Sequence, residues 1–223
     1  MGEYISTTEH LKKLIATPQA ELLDIKNALD FRGTFIEVFV EDQYRWLAQQ
    51  LKPHTNLLDI GAHFGDTAFY FAILPNVDRI RAYEPSPRHF CEFMRLLEHS
   101  PYKGKIKPFN IAITNGSSAT TVDDNFKYAK TTTLTEALKS FRNIAIKCDV
   151  EGAEETIFDD ADLSQVYAIQ LEWHSEGVRR HVTEVLRSNG FTIAANYAII
   201  APHGMICALR EKRLVKQREK HKG

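Results

Sequence analysis

Two hydrophobic rhythms alternate along this chain. Apolar runs of strand length cover residues 56–60, 79–83, 106–111, 143–148 and 166–171, each bounded by turn formers or charged residues. Between them, apolar residues recur every three or four positions. Residues 66–74 form one such stretch, ended by Pro75. Ser86-Pro87 opens another that runs to about His99, with Phe90, Phe93, Met94 and Leu97 on its inward face. Residues 133–138 read as a short helix. Ser175 caps a last helix that carries Val178, Val182, Val185 and Leu186 inward and is stopped by Gly190. Residues 191–195 and 205–210 then predict an antiparallel pair. Strands alternating with helices in this order predict an α/β domain with a doubly wound, mostly parallel sheet, closed by a C-terminal antiparallel hairpin.

Three segments stand apart from that alternation. Thr8 and Thr17-Pro18 signal helix starts, predicting short helices over 9–15 and 18–29. Residues 34–40 are too uniformly apolar to assign, and a helix over about 41–52 follows. Asn115-Gly116, set between residues 111–114 and 117–122, is a strong hairpin-turn signal. The chain therefore divides into an N-terminal helical extension or lid (1–52), a main domain (53–210) and a basic tail (211–223). The lysines and arginines of the tail read as a solvated end.

Composition narrows the classes of function. At 223 residues, with a formal net charge of −1 and a hydrophobic fraction of 43%, the chain suits one α/β domain with ample core. It is neither a polycation that holds nucleic acid by bulk charge nor a disordered acidic chain. Cys91, Cys148 and Cys207 are far apart and never in C-x-x-C, which disfavours a disulfide framework or zinc knuckle and fits a reducing cytoplasm. No apolar run approaches the roughly 18 residues that span a membrane. The first residues lack the apolar stretch of a signal peptide, and Met1-Gly2 through Ser6 matches the myristoylation pattern only formally.

The chemistry concentrates where the first strand ends. Asp59-Ile60-Gly61-Ala62-His63-Phe64-Gly65-Asp66 is a strand running into a glycine turn and a helix, and Tyr83-Glu84-Pro85 follows at the end of the next strand. Glu84 lies where a carboxylate accepts hydrogen bonds from both ribose hydroxyls of a nucleoside. The dinucleotide fingerprint G-x-G-x-x-G needs a second glycine beside the pyrophosphate, and His63 stands there instead. Asp66 at the helix start repels phosphate and suits a ligand with a cationic end. S-adenosylmethionine has a sulfonium, an ammonium and no phosphate. A P-loop is excluded, since no G-K-[ST] follows the turn.

With these residues in view, the chain resembles the FkbM-type family of S-adenosylmethionine-dependent O-methyltransferases from about Gln43 to His174. The resemblance rests on the Asp59–Asp66 turn, on Tyr83-Glu84-Pro85-Ser86-Pro87, on Asn110-Ile111-Ala112, on residues 146–154 (Ile-Lys-Cys-Asp-Val-Glu-Gly-Ala-Glu) and on Leu171-Glu172-Trp173-His174. Two departures are His63, where the family more often has Asn, and Cys148, where it usually has Ile or Leu. The resemblance implies a class I methyltransferase (Rossmann-like) fold and methyl transfer to a hydroxyl on a sugar or other small molecule. It implies that Asp59 orders the loop near the methionine amino group, that Gly61 and Gly65 clear space for the methionine portion, and that Glu84 takes the ribose. Asn110 and Ala112 fall where the adenine edge is read.

The reacting end is expected at the next two strand ends. Asp149 and Glu151 leave one, Glu172 and His174 the other, and alternation at period two puts each pair on one side of its strand. Asp149, Glu172 and His174 are the candidate catalytic set. They could supply a general base for the acceptor hydroxyl or hold a divalent metal that lowers its pKa. Glu154 is expected only to cap and solubilise a helix start, and Trp173, alternating to the opposite side, to be core. A base N-methyltransferase would need an Asp/Asn-Pro-Pro-aromatic segment in place of Asp149-Val150-Glu151-Gly152. An RNA ribose methyltransferase of the Lys-Asp-Lys-Glu type would need a lysine between Lys147 and Lys212. A non-catalytic cofactor-binding module acting through a partner and an NAD(P)-dependent oxidoreductase remain as alternatives.

Overall fold

The computed structural model describes residues 33–116, 129–150, 154–200 and 202–210. A seven-stranded sheet forms its centre, built from β1 (Thr55–Ile60), β2 (Val77–Tyr83), β3 (Ile106–Phe109), β6 (Ile144–Cys148), β7 (Val166–Trp173), β8 (Thr192–Ile200) and β9 (His203–Leu209). Their order is β3-β2-β1-β6-β7-β9-β8. All neighbours are parallel except that β9 runs antiparallel to both β7 and β8. The doubly wound sheet and its closing hairpin are therefore as expected. The hairpin also inserts its second strand between β7 and β8, a placement that sequence order does not reveal.

Each strand sends alternate side chains to opposite faces. Leu58, Ile60, Ile144, Ile146, Ile169 and Leu171 join one buried cluster with α4 (Leu134–Leu138), α5 (Glu154–Ile157) and α6 (Glu176–Ser188). Leu57, Ala145 and Ala168 join the other, with α2 (Asp66–Ala72) and α3 (Pro87–Glu98). Fully burying side chains of this kind contributes about 1.5–3 kcal/mol apiece. Caps hold the helices in place. Ser86, Thr133 and Ser175 accept from the backbone N–H groups of His89, Glu136 and Val178.

The apolar residues 36–40 form a single π-helical turn, Ile36–Val40, and α1 (Arg45–Gln50) follows it. Val38, Phe39, Tyr44, Leu47 and Leu51 share one buried cluster with Leu57, Phe71 and Ala145. On α3 the inward stripe is Phe93, Leu96 and Leu97, whereas Met94 is 42% exposed. Met94 sits one residue beyond Phe93, about 100° round the helix and off the packed face. β4 (Ala112–Thr114) pairs in parallel with β5 (Thr131–Thr133) as a separate two-stranded sheet. Residues 117–122, expected as the return strand of an Asn115-Gly116 hairpin, lie outside the described residues. So do the helices expected over 9–15 and 18–29, the basic tail and Glu151.

Candidate functional site

A buried polar row crosses the sheet at the carboxyl ends of its central strands. Register places Asp59 beside Lys147 and Lys147 beside Gln170. Lys147 Nζ lies 3.4 Å from Asp59 Oδ1 and donates to the Gly61 carbonyl at 2.6 Å. Thr67 donates to Asp59 Oδ2 at 2.7 Å. Burial works against the Lys147 ammonium, but Asp59, Asp149 and Asp66 outweigh it and hold its pKa above the ordinary lysine value. Asp59 is thus linked through Lys147 to the Gly61 carbonyl and directly to Thr67. Gln170, fully buried, accepts from the Leu47 N–H at 3.0 Å and donates to the Gln43 carbonyl at 2.8 Å, which fastens α1 onto β7.

The glycine turn is dictated by the protein's own packing. Gly61 has φ +76°, and an added Cβ would overlap the Asp149 carbonyl oxygen at the end of β6. Gly65 has φ +86°, and its missing side chain is replaced by the Phe93 ring of α3. The positions that a Cβ would take at these glycines are therefore occupied by the Asp149 carbonyl and the Phe93 ring. Between them His63 takes the left-handed region at φ +50°, where Asn, Asp and His are enriched.

That turn aims a backbone N–H at Glu84. The Glu84 carboxylate, 5% exposed, accepts from the His63 N–H at 2.7 Å and from the Ser86 N–H at 2.8 Å. Each oxygen keeps a second acceptor position. Asn110 donates its amide to the carbonyls of Glu84 and Pro85 at 2.9 and 3.0 Å. Its amide nitrogen is committed to shaping the β2 end, and Asn110 is not part of the cleft wall, although Ala112 is.

Glu84, Gly61 and Asp149 open onto one cleft of about 370 Å³, within the roughly 300–1,000 Å³ of small-molecule sites. It lies where β1 sits between β2 and β6 and strand order reverses, the usual ligand position in an open α/β sheet. Thr34, Glu37, Gln43 and Tyr44 line it from the N-terminal side. Among the described residues, two buried polar atoms on its walls have no hydrogen-bond partner, Asp66 Oδ1 and His63 Nδ1. Burial raises Asp66 to about 6 and, helped by the neighbouring His89, lowers His63 to about 3. His63 is therefore neutral at physiological pH. An acidic cleft with an unpaired buried carboxylate oxygen and a backbone-anchored glutamate fits a polar ligand that carries positive charge.

The second candidate set adjoins this cleft through Asp149. His174 Nε2 lies 3.8 Å from Asp149 Oδ1, and His174 Nδ1 is hydrogen-bonded at 2.7 Å to Glu154 Oε1. That bond, opposed by burial and reinforced by the charges of Glu154, Asp149 and Glu172, raises His174 to about 9. Burial and the charge of Asp149 raise Glu172 to about 7, and Gln43 donates to its Oε2 at 3.2 Å. Trp173 is buried in the core as expected. Glu154 departs from expectation: it is fully buried and bonded to His174, and so cannot serve as a solubilising helix acid. Asp149, Glu172 and His174 also do not form one ligand set. Among the described residues, ligand-capable atoms gather within 4.8 Å as Asp149, Glu154 and His174, and as Glu172, His174 and His203. Asp149 and Glu172 thus approach His174 in different company.

Sequence reading gave no role to Lys147, Gln170, Gln43 and Tyr44, and gave Glu154 a different one. Lys147 and Gln170 did leave a signal, a polar residue inside an otherwise apolar strand. What the sequence hides is the register that aligns them with Asp59.

The Methyltransferase FkbM domain model matches residues 59–193. No curated protein matches the chain. Among solved structures, M. capricolum TrmK, in complex with S-adenosyl-homocysteine, superposes with a TM-score of 0.53 at 13% identity, over 76% of this chain and 68% of that one. Precorrin-6y C5,15-methyltransferase from Geobacter metallireducens gives 0.51 at 16% identity, over 76% and 88%. The fibrillarin pre-rRNA processing protein of Methanococcus jannaschii gives 0.51 at 15%, over 72% and 68%. Likenesses at such identities speak for the fold, which is that of class I S-adenosylmethionine-dependent methyltransferases. With the domain match spanning both the glycine turn and the mouth cluster of Asp149, Glu154, Glu172 and His174, the chain belongs to the FkbM methyltransferase family.

Proposed function

We propose that this protein uses S-adenosylmethionine to methylate a hydroxyl on a sugar or another small molecule. The observation that carries the reading is one cleft at the strand-order switch that holds both the anchored Glu84 carboxylate and the unpaired Asp66 Oδ1. When bound, the cofactor supplies an electrophilic methyl group on a sulfonium. Glu84 offers its remaining acceptor positions to the ribose hydroxyls. Asp66 faces the cationic end, and Asp59 acts one layer behind through Lys147 and Thr67. Ala112 and Ile113 form the apolar wall on the nucleoside side. The residues from Thr34 to Tyr44 that line the cleft act as its lid.

Asp149 receives the acceptor proton in this reading, which is supported by its lining the cleft and by a side chain that is 30% exposed. His174, at about 9, is an imidazolium near neutral pH and cannot itself be the base; it supports Asp149 by charge. Glu172, raised to about 7, exchanges protons near neutral pH beside them. General-base help of this kind is worth roughly 10²–10⁴-fold, with positioning carrying much of the remainder.

Calorimetry with S-adenosylmethionine, S-adenosylhomocysteine and NADH tests the cofactor. We expect the two S-adenosyl ligands to bind and NADH not to. Micromolar NADH binding without S-adenosyl binding would falsify the assignment. Transfer of labelled methyl from the cofactor to a panel of sugars, other hydroxylated small molecules and RNA then tests the acceptor class. Labelling of RNA alone would replace the small-molecule reading.

A further inference from the structure

Behind the cleft stands a carboxylate that the proposed reaction does not touch. Glu154 opens the four-residue α5 and is 0% exposed. Burying an ionised carboxylate is costly unless a charge and hydrogen bonds compensate it. The compensation is His174 Nδ1 at 2.7 Å, with the Val150 N–H donating to the same oxygen at 3.3 Å. Nδ1 being engaged, the other ring nitrogen, Nε2, is left facing Asp149 Oδ1 at 3.8 Å. Among the described residues, the groups around the imidazole are Glu154 from α5, Asp149 beyond β6, Glu172 from β7 and His203 from β9, whose ring meets that of His174 edge-on at 4.9 Å.

We infer that Glu154 is a positioning residue: by holding His174 Nδ1 it aims Nε2 at Asp149, so that Asp149 presents its carboxylate to the acceptor in a fixed orientation. The inference rests on the methyl-transfer reading for its purpose and on the hydrogen-bond geometry for its substance. Asp149 takes the hydroxyl proton and releases it to solvent from its exposed side. His174, already protonated, neither gains nor loses a proton in the cycle. The chain Glu154–His174–Asp149 is thus an electrostatic strut between a buried anchor and the cleft.

Two readouts separate this role from a merely structural one. The first is the titration of His174 in the full chain by heteronuclear NMR, which needs no acceptor. We expect an imidazolium at pH 7.5 in the wild type, and in Glu154→Gln a titration moved down by about one unit or more. The second, once an acceptor is in hand, is the pH profile of turnover. Glu154→Gln should bind S-adenosylhomocysteine within about threefold of wild type, turn over about tenfold or more slowly, and lose activity at a lower pH on the alkaline side. Glu154→Asp should restore part of the rate. A neutral His174 at pH 7.5 in the wild type overturns the inference even if Glu154→Gln fails to fold. An unmoved titration in a folded Glu154→Gln overturns it too. Failure of methyl transfer with the NMR result intact would sink the reaction and leave the strut standing.

Discussion

At the scale of single residues, Glu84, Asp59 and Lys147 each have structural partners as well as a chemical prospect. Glu84 is the clearest case, because the backbone donors that aim it also depend on it. Glu84→Ala should weaken S-adenosylhomocysteine binding by about 1.5–3 kcal/mol and also lower stability, since two backbone N–H groups lose their acceptor. Calorimetry and urea unfolding read the two effects separately, and normal binding would end the ribose assignment. Lys147 gives a different prediction. It and Asp59 are 3% and 0% exposed, so Lys147→Met strands a buried carboxylate and should cost about 3–5 kcal/mol of folding stability. Adding Asp59→Asn should recover part of that loss in denaturant unfolding. If Lys147→Met unfolds like wild type, the pair is not a structural charge pair.

Among the elements, α1 matters most to the cleft because one side chain ties it down. Gln170 spans from β7 to the backbone of Gln43 and Leu47, and Gln43 and Tyr44 line the cleft. Gln170→Leu keeps the volume but leaves those backbone groups unsatisfied, at about 1–3 kcal/mol each. We expect faster amide exchange at Leu47 and weaker cofactor binding, with exchange in β1 unchanged. Unaltered exchange at Leu47 would show that apolar packing alone holds the helix. The glycine turn belongs to this scale also. Gly61 and Gly65 serve the seating of β6 and α3, so their substitution should show as lost stability rather than as a blocked pocket.

For the whole molecule, the mouth cluster predicts how stability varies with pH. Raising His174 from 6.5 to about 9 means that the folded chain binds its proton more tightly than the unfolded chain does. Its contribution is complete below pH 6.5 and is lost as pH rises through about 9. Glu172, raised from 4.5 to about 7, acts in the same direction between those values. His63, lowered to about 3, acts oppositely below 6.5. Melting temperature should therefore fall from pH 6.5 to 9 in the wild type and fall less in His174→Asn. A mutant curve parallel to wild type would remove His174 from the account.

The sequence by itself determined the strands of the main sheet, most helices and their caps, because these follow from short-range periodicity and from side chains that satisfy nearby backbone groups. It also placed Asp59, Glu84, Asp149, Glu172 and His174 at strand ends, since a strand end is a local event. Tertiary structure alone decided what those groups do to one another. The Asp59–Lys147–Gln170 row needs the register of three strands far apart in sequence. Glu154 looked like a surface acid because helix periodicity cannot tell that α5 is pressed against His174. Met94 and Leu96 exchanged places because a face is chosen by the neighbour it meets, not by the helix alone. The spacing of the glycines was legible, but their reason was not, because the atoms that they make way for come from a strand some ninety residues further along and from a ring on α3.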